Sequence, residues 1–352
     1  MRPMILHRPR PRATRALLTA VASAAFALTA AGCARHDASG KAVIRLAMVT
    51  DTAGLGDKSF NDSAYAGLTA AKTQLDADTT VLESKSAADY QPNLTVLADE
   101  EYDEIYAIGF LMSKDVEKVA RNFPKRHFAL IDGTAVEPNV SAVVFREQEG
   151  AFLAGALAAM VSKTHVVGFL GGMDVPLLRR FEAGYTAGAR EIDPRVKVLV
   201  KYAGSFDDVA AGKELAGVLY DQRADVIFIA AGKSGLGAID ETRARPNVYA
   251  IGVDSDQDAL AKGKILTSVL KRVDVAVFRL AEEAIAQKLP AGTEEVGLRE
   301  GGIALTPFTY SRAVVHPEMI ATLKKLRADI IAGKIVPPKT RESLADFKPV
   351  TP

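Results

Sequence analysis

Carboxylates, an amide and aromatic rings recur at positions where short apolar runs end. The first cluster follows the run that begins at Val43 and contains Asp51, Phe60 and Asn61 among glycines and turn residues. Glycine permits tight turns that bring such side chains together. Phe60 lies among polar residues, so a role in core packing is the less favoured interpretation. These groups are suited to binding a polar ligand.

A second cluster repeats this pattern later in the chain. Gly204, Ser205 and Phe206 follow a run that ends at Tyr202. Two phenylalanines on opposite sides of a cleft would sandwich a flat ring, and stacking of a base on an aromatic side chain contributes roughly 1–3 kcal/mol. From composition alone, the pairing of Phe60 with Phe206 is a hypothesis.

Two further apolar runs end directly before an acid, at Asp132 and Asp254. An ionised carboxylate is a strong acceptor for vicinal hydroxyls or ring N–H groups. Acids at such positions are also common helix N-caps. Both interpretations stay open at this point.

The elements that must position these residues alternate between short β-branched runs and longer segments of helical period, which is typical of parallel strands with crossover helices. The predicted strands fall into two sets of five. They are Val43–Val49, Thr79–Glu83, Glu104–Ile108, Phe128–Ile131 and Val140–Phe145, then Val166–Leu170, Lys197–Tyr202, Val226–Ala230, Val248–Val253 and Ile265–Val269. Helices are predicted at Asp62–Leu75, Ser113–Asn122, Glu149–Val161, Leu178–Ile192, Val209–Gln222 and Val273–Gln287, and the last helices around Pro317–Ile331. Two such sets predict an α/β fold with two doubly wound, Rossmann-like lobes, whose ligands bind at the carboxyl ends of the strands.

The amino-terminal segment, residues 1–32, has the features of a lipoprotein signal peptide. Five arginines precede an uncharged stretch from Ala16 to Ala31, which is shorter than the roughly 20 residues needed to cross a bilayer. Gly32 is followed by Cys33, the only cysteine of the chain. We therefore expect a lipid on Cys33, a lipidated tether over residues 33–41, and a position in the cell envelope facing the periplasm or the exterior. A conventional signal-peptidase site, with Cys33 as an incidental thiol, is the alternative.

Composition excludes several classes of function. Removal of residues 1–32 takes five of the 44 basic residues and none of the 43 acidic ones, which leaves a net charge of about −4. A mildly acidic protein surface argues against a nucleic-acid partner, because binding to phosphates requires a basic face. Gly232-Lys233-Ser234 lacks the upstream glycine of a phosphate-binding loop, because Ile227 stands there, and Leu236 stands where a serine-hydrolase elbow needs glycine. The histidines are isolated, so no metal and no cofactor are expected.

Several stretches carry a resemblance to a known family. They are Gly56-Asp57-Lys58-Ser59-Phe60-Asn61, Val167-Gly168-Phe169-Leu170-Gly171-Gly172-Met173, Phe181-Glu182-Ala183-Gly184-Tyr185, Gly204-Ser205-Phe206 and Ile251-Gly252-Val253-Asp254-Ser255-Asp256-Gln257. Between Val43 and Arg272 the sequence resembles the basic membrane protein family, the nucleoside-binding lipoproteins of the PnrA type. Lys233 and Ala53 stand where that family more often has glycine.

The resemblance implies a type I periplasmic-binding-protein fold, a bound purine nucleoside and the permease subunits of an ABC-type importer as partners. It implies that Phe60 and Phe206 stack on the base and that Asp51 and Asp132 bind its edge. By the same resemblance, the ribose would be held by Gly232, Asp254 and Lys271. The protein is expected to be a monomer and not an enzyme; a nucleoside-processing enzyme, or a binding protein for another polar ligand such as a sugar, is the alternative.

These expectations define two lobes joined by three chain crossings. The amino-terminal lobe is predicted to contain residues 42–146 and 272–305, and the carboxyl-terminal lobe residues 147–271 and 306–352. A hinge of this kind allows a ligand that prefers the closed state to shift the population toward closure.

Overall fold

The structure is a computed structural model that describes residues 43–349. The predicted signal peptide, Cys33 and the tether lie outside the described residues. Within the described range the chain forms two six-stranded sheets flanked by α-helices. The prediction of a doubly wound α/β fold is confirmed.

The first sheet has the strand order β2-β1-β3-β4-β5-β11, and all neighbouring strands are parallel. Its strands are β1 (Arg45–Thr50), β2 (Asp78–Glu83), β3 (Glu104–Ile108), β4 (His127–Ile131), β5 (Val140–Phe145) and β11 (Gly292–Val296). The second sheet has the equivalent order β7-β6-β8-β9-β10-β12. Its strands are β6 (Val166–Gly171), β7 (Lys197–Tyr202), β8 (Val226–Ala230), β9 (Tyr249–Asp254), β10 (Ile265–Lys271) and β12 (Ile303–Leu305).

Ten α-helices cover the sheets in the described range. They are α1 (Phe60–Gln74), α2 (Tyr90–Asp99), α3 (Ser113–Asn122), α4 (Glu147–Val161), α5 (Pro176–Ile192), α6 (Val209–Asp221), α7 (Ser234–Ala244), α8 (Val273–Ile285), α9 (Pro317–Ile331) and α10 (Arg341–Ala345). The sequence analysis did not name α2, α7 or α10.

Alternate residues of the central strands face different helices, as expected for strands buried on both sides. In β1, Leu46 and Met48 pack in the cluster that contains α1 and α8, while Ala47 and Val49 pack with α2 and α3. The second sheet is covered by α4 and α5 on one face and by α6 and α7 on the other. This burial holds the strand ends rigidly in place.

Three connections carry the chain between the two halves within residues 43–349, and the first two lead into helices. After β5 of the first sheet, α4 packs against α5 beside the second sheet, and after β10 of the second sheet, α8 packs against α1. The α4–α5 approach depends on glycine, because a Cβ at Gly188 would lie 1.8 Å from the carbonyl oxygen of Phe152. The fixed α4–α5 pair orients the first turns of both helices.

One predicted boundary requires correction. We placed residues 272–305 in the amino-terminal lobe, whereas β12 pairs antiparallel with β10 in the second sheet. The third connection therefore ends before Ile303. A strand of three residues is too short to be recognised from its sequence period, which explains the difference. The other lobe boundaries stay a prediction.

Candidate functional site

A cavity lies at the carboxyl ends of strands from both sheets. Its empty volume, including the part open to solvent, is about 520 Å³. All eight ligand-binding candidates from the sequence line this cavity: Asp51, Phe60, Asn61, Asp132, Phe206, Gly232, Asp254 and Lys271. Gly232 and Lys271 were implied by the family resemblance, and the other six were expected from their positions at strand ends. Residues up to 220 positions apart thus meet in one cavity, and ligand contact by each of them stays a prediction.

The loop after β1 is held by a network of acceptors. Asp57 is fully buried and accepts bonds from the backbone amides of Ser59, Asn61 and Asp62 at the start of α1. Asn61 donates to Oδ1 of Asp51 at 2.8 Å. The second oxygen of Asp51 lies beside Gly109, where an added Cβ would come within 3.4 Å of it. The loop thus fixes one carboxylate oxygen and leaves the other facing the cavity wall.

Four phenylalanines line the cavity, and three of them lie close to strand ends. Phe60 opens α1, Phe110 follows Gly109 after β3, and Phe206 follows β7. The rings of Phe110 and Phe206 meet edge to face, with centroids 6.4 Å apart. Such rings present apolar faces on which a flat heterocycle can stack.

Glycines make room for the ring of Phe206. An added Cβ at Gly172 would lie 2.3 Å from Cδ1 of Phe206, and one at Gly232 would lie 3.4 Å from its Cβ. Gly232 also has a φ of +54°, a conformation that favours glycine. The ring of Phe206 therefore needs glycine at position 172, while Gly232 is favoured by its own backbone conformation.

Asp132 and Lys271 form a buried ion pair between the two sheets. Nζ of Lys271, the last residue of β10, donates to Oδ2 of Asp132 at 2.5 Å and to Oε1 of Glu147 at 3.1 Å. The ammonium also lies 5.3 Å from the ring centroid of Phe60. Oδ1 of Asp132 is buried and has no hydrogen-bond partner in the protein. A buried acceptor without a partner is costly, so this atom is suited to receive a ligand donor.

Asp254 makes the corresponding contact from the second sheet. Its Oδ2 accepts a hydrogen bond of 2.5 Å from the hydroxyl of Ser59. Two bonds beside it also join the halves, from Ser255 Oγ to the carbonyl of Ser59 and from Gln257 Nε2 to the carbonyl of Lys58. These contacts close one side of the cavity.

Burial dominates the electrostatics of the cavity acids. It raises the pKa of Asp51 and of Asp132 to about 6, and that of Asp254 to about 7. Burial alone would lower the pKa of Lys271, but the carboxylates of Asp132, Glu147 and Asp254 raise it above its usual range. The lysine therefore stays protonated, while the acids titrate near neutral pH.

Sequence reasoning missed several cavity residues. Phe110 could have been found by the same strand-end argument, because it follows β3 after a single glycine. Leu177, Leu178 and Phe181 come from the first turns of α5, where the apolar pattern looks like ordinary core packing. Lys233, one departure from the family pattern, is half-buried and does not belong to the lining residues.

The lining provides mainly acceptors and apolar faces. Among the described lining residues the side-chain acceptors are the oxygens of Asp51, Asp57, Asn61, Asp132 and Asp254, while the ammonium of Lys271 is a donor. This set matches a ligand with several N–H and O–H groups and a flat apolar part. The described lining residues include no histidine, cysteine or serine that would act as a nucleophile or its base.

Comparison with known proteins is consistent across sequence and structure. Residues 44–340 match the family described as ABC transporter substrate-binding protein PnrA-like. The ABC transporter nucleoside-binding protein BmpA of Lactococcus lactis subsp. cremoris is 36% identical, and the matched region covers 91% of this chain and 97% of the BmpA chain. Basic membrane protein A of Borreliella burgdorferi is 33% identical over 90% of this chain and 94% of its own.

A solved structure shows the same architecture. A solute-binding protein of an ABC transporter system from Aeropyrum pernix K1 has a TM-score of 0.80 and 29% identity, covering 86% of this chain and 96% of its own. No helix between residues 43 and 349 has the length and apolar character to cross a bilayer. The fold is that of periplasmic solute-binding proteins, and the chain belongs to the PnrA-like, or basic membrane protein, family of ABC transporter substrate-binding proteins.

Proposed function

We propose that this protein binds purine nucleosides in the cavity between its two sheets and delivers them to the permease subunits of an ABC-type importer. The observation that carries the proposal is the combination, in one cavity, of phenylalanine rings with two buried oxygens that have no hydrogen-bond partner in the protein, Oδ1 of Asp132 and Oδ1 of Asn61. A relative named as a nucleoside-binding protein, 36% identical over most of the chain, supports the same ligand class.

The apolar part of the ligand is assigned to the phenylalanines. Phe60 and Phe206 come from opposite halves of the molecule, which suits the two faces of a purine ring. Stacking on an aromatic side chain contributes roughly 1–3 kcal/mol per base and tolerates different bases. Phe110, which contacts Phe206 edge to face, would hold the Phe206 ring in its orientation.

The polar parts of the ligand are assigned to the acids. Asp51, with Asn61 beside it, would bind the N–H groups of the purine edge, together with Asp132. Asp254 and Lys271 would bind the ribose hydroxyls, with Gly232 supporting that side of the cavity. A buried acceptor that a ligand leaves without a hydrogen bond destabilises the complex. The cavity therefore selects a ligand with donors in these places.

Closure of the two halves is the proposed mechanism of capture. The hydrogen bonds between Ser59 and Asp254, and between Lys271 and Asp132, join the halves across the cavity. A nucleoside that contacts both halves binds the closed state more tightly than the open one and shifts the population toward it. Small-angle scattering with and without guanosine tests this step; unchanged dimensions at saturation would count against closure.

An enzyme acting on nucleosides is the alternative from another class, because clustered acids can also serve hydrolysis. Incubation of the pure protein with inosine separates the two. We expect intact inosine to be recovered from a tight complex, as identified by native mass spectrometry. Release of free hypoxanthine at a catalytic rate would reject the binding function in favour of the enzyme.

The membrane attachment proposed for the exported chain depends on Cys33. Two or more acyl chains are needed for stable anchoring, and bacterial lipoprotein processing supplies them. Palmitate labelling of the native chain, lost in Cys33→Ser, is the expected result. Membrane attachment that is unchanged in Cys33→Ser would overturn the anchor.

A further inference from the structure

A line of four alternating charges extends from the cavity into the connection between the two halves. Nζ of Lys271 bridges Asp132 and Glu147, and Nη1 of Arg180 donates to the second carboxylate oxygen of Glu147 at 3.1 Å. We call Asp132, Lys271, Glu147 and Arg180 the charge chain. Its four members come from the ends of β4 and β10 and from the first turns of α4 and α5.

Glu147 occupies the centre of the charge chain but does not line the cavity. Its side chain is 1% exposed, and both carboxylate oxygens accept bonds from cations. The same Nη1 of Arg180 also donates to the carbonyl of Phe145 at 2.9 Å, which ties it to the end of β5. Glu147 therefore contacts the cavity only through the ammonium of Lys271.

Glu147 and Lys271 each lie next to a connection between the two halves. Glu147 is the first residue of α4, directly after the connection from β5, and Lys271 is the last residue of β10, directly before the connection to α8. The bond between them joins two of the connecting segments at the edge of the cavity. Both partners are buried, so the bond is little screened by solvent.

We propose that Glu147 is a positioning residue, which with Arg180 fixes the place of the Lys271 ammonium and sets the charge balance at Asp132, and so controls the pH range in which the cavity accepts its ligand. This proposal rests on the proposed function for the identity of the ligand. It assigns no ligand contact to Glu147 or Arg180.

The charges that face Asp132 come from four packed elements. They are Lys271 of β10, Glu147 of α4, Arg180 of α5 and Asp254 of β9. After burial and the effect of Lys271, the negative charge of Glu147 raises the pKa of Asp132 and the positive charge of Arg180 lowers it. Neutralising these two residues must therefore move the titration of Asp132 in opposite directions.

The test measures guanosine affinity by calorimetry from pH 4.5 to 8.5 for the full protein and for Glu147→Gln and Arg180→Gln. In Glu147→Gln we expect affinity at pH 8 to fall about tenfold, the effect of losing a charged hydrogen bond on the ammonium. The pH at which binding weakens on acidification should fall by about one unit in Glu147→Gln and rise in Arg180→Gln.

Glu104→Gln is the matched control. Glu104 is also a fully buried glutamate, but it opens β3 at the end of the sheet opposite to the cavity. The variant Glu104→Gln should lower the thermal unfolding midpoint without moving the pH profile of guanosine binding. If Glu147 were merely structural, Glu147→Gln would behave like Glu104→Gln, and shifts in the same direction for Glu147→Gln and Arg180→Gln would overturn the proposal.

A second measurement decides the case without any ligand. NMR titration of the Asp132 carboxyl carbon in ligand-free protein should show a lower pKa in Glu147→Gln and a higher one in Arg180→Gln. Opposite shifts, with no nucleoside binding by the unaltered protein, would support the charge chain and reject the proposed function. Absent shifts, with nucleoside binding intact, would reject the charge chain alone.

Discussion

The ends of β4 and β9 occupy equivalent places in the two sheets, yet they use the same residue in different ways. Asp132 directly follows β4, Asp254 is the last residue of β9, and their φ angles are positive, at 69° and 61°. Each accepts a bond of 2.5 Å from the opposite half of the molecule, but Asp132 faces the cation of Lys271 and Asp254 faces the neutral hydroxyl of Ser59. The same backbone conformation thus supplies a carboxylate acceptor in each half, and the two carboxylates differ in whether their partner is charged.

This difference predicts unequal costs when either acid is removed. Asp132→Ala leaves the buried ammonium of Lys271 with Glu147 alone, and we expect a loss of about 3 kcal/mol in the free energy of unfolding. Asp254→Ala removes a hydrogen bond to a hydroxyl and should cost about 1 kcal/mol. Urea unfolding of the ligand-free proteins at pH 8 measures both values. Equal losses would show that the charge of the partner is unimportant.

Asp132 and Asp254 should also differ in how they change the pH dependence of the free energy of unfolding. Because the folded-state pKa of Asp254 is raised to about 7, its protonated form stabilises the fold fully below pH 4, and this contribution is lost as the pH rises through about 7. For Asp132 the loss is complete near pH 6. In ligand-free Asp254→Asn, the fall in the free energy of unfolding between pH 4 and pH 7 should therefore be smaller by on the order of 2 kcal/mol. A decline above pH 6 that is unaltered in Asp254→Asn would contradict this.

The comparison of the halves extends to their aromatic residues. Phe206→Ala removes the ring that the second half contributes, and we expect guanosine affinity to fall about tenfold or more. Phe206→Tyr keeps the ring and is the control, with affinity near that of the unaltered protein. Binding by Phe206→Ala at the original affinity would mean that this ring belongs to the core.

The neutral contact between the halves should have the smallest effect. Ser59→Ala removes the hydroxyl that bonds Asp254, which weakens closure, and guanosine affinity should fall about threefold. Ser63→Ala is the control, because Ser63 of α1 accepts a bond from the backbone amide of Asp274 in α8, the helix that packs against α1. Equal effects of the two variants would argue against a role of Ser59 in closure.

The strand ends were the most predictable part of this molecule. The bounds of β3, β5, β7 and β8 agree with the sequence prediction, because each is a compact apolar run between turn residues. Asp51 and Asp132 could be predicted to lie at one edge of the first sheet, since parallel strands end at the same edge of a sheet. The family resemblance added the expectation of a purine nucleoside, which strand ends alone left open.

The partners of these residues could not be predicted. Ser59 and Asp254 are 195 residues apart and meet only because the halves close. Glu147 was recognised only as part of a connection between lobes, since nothing in its sequence neighbourhood indicates that Lys271 and Arg180 converge on it. Such pairings depend on the relative placement of two sheets, and a local sequence pattern carries no information about that placement.

The central claim is that rings from both halves hold a purine while buried acids accept hydrogen bonds from its edge and its ribose. Isothermal calorimetry of ligand-free protein at pH 8 against a panel of purine nucleosides, pyrimidine nucleosides, sugars and amino acids tests it most directly. We predict saturable heat with purine nucleosides and none with sugars or amino acids. Saturable binding of a sugar or an amino acid, with no heat from any nucleoside, would contradict the account.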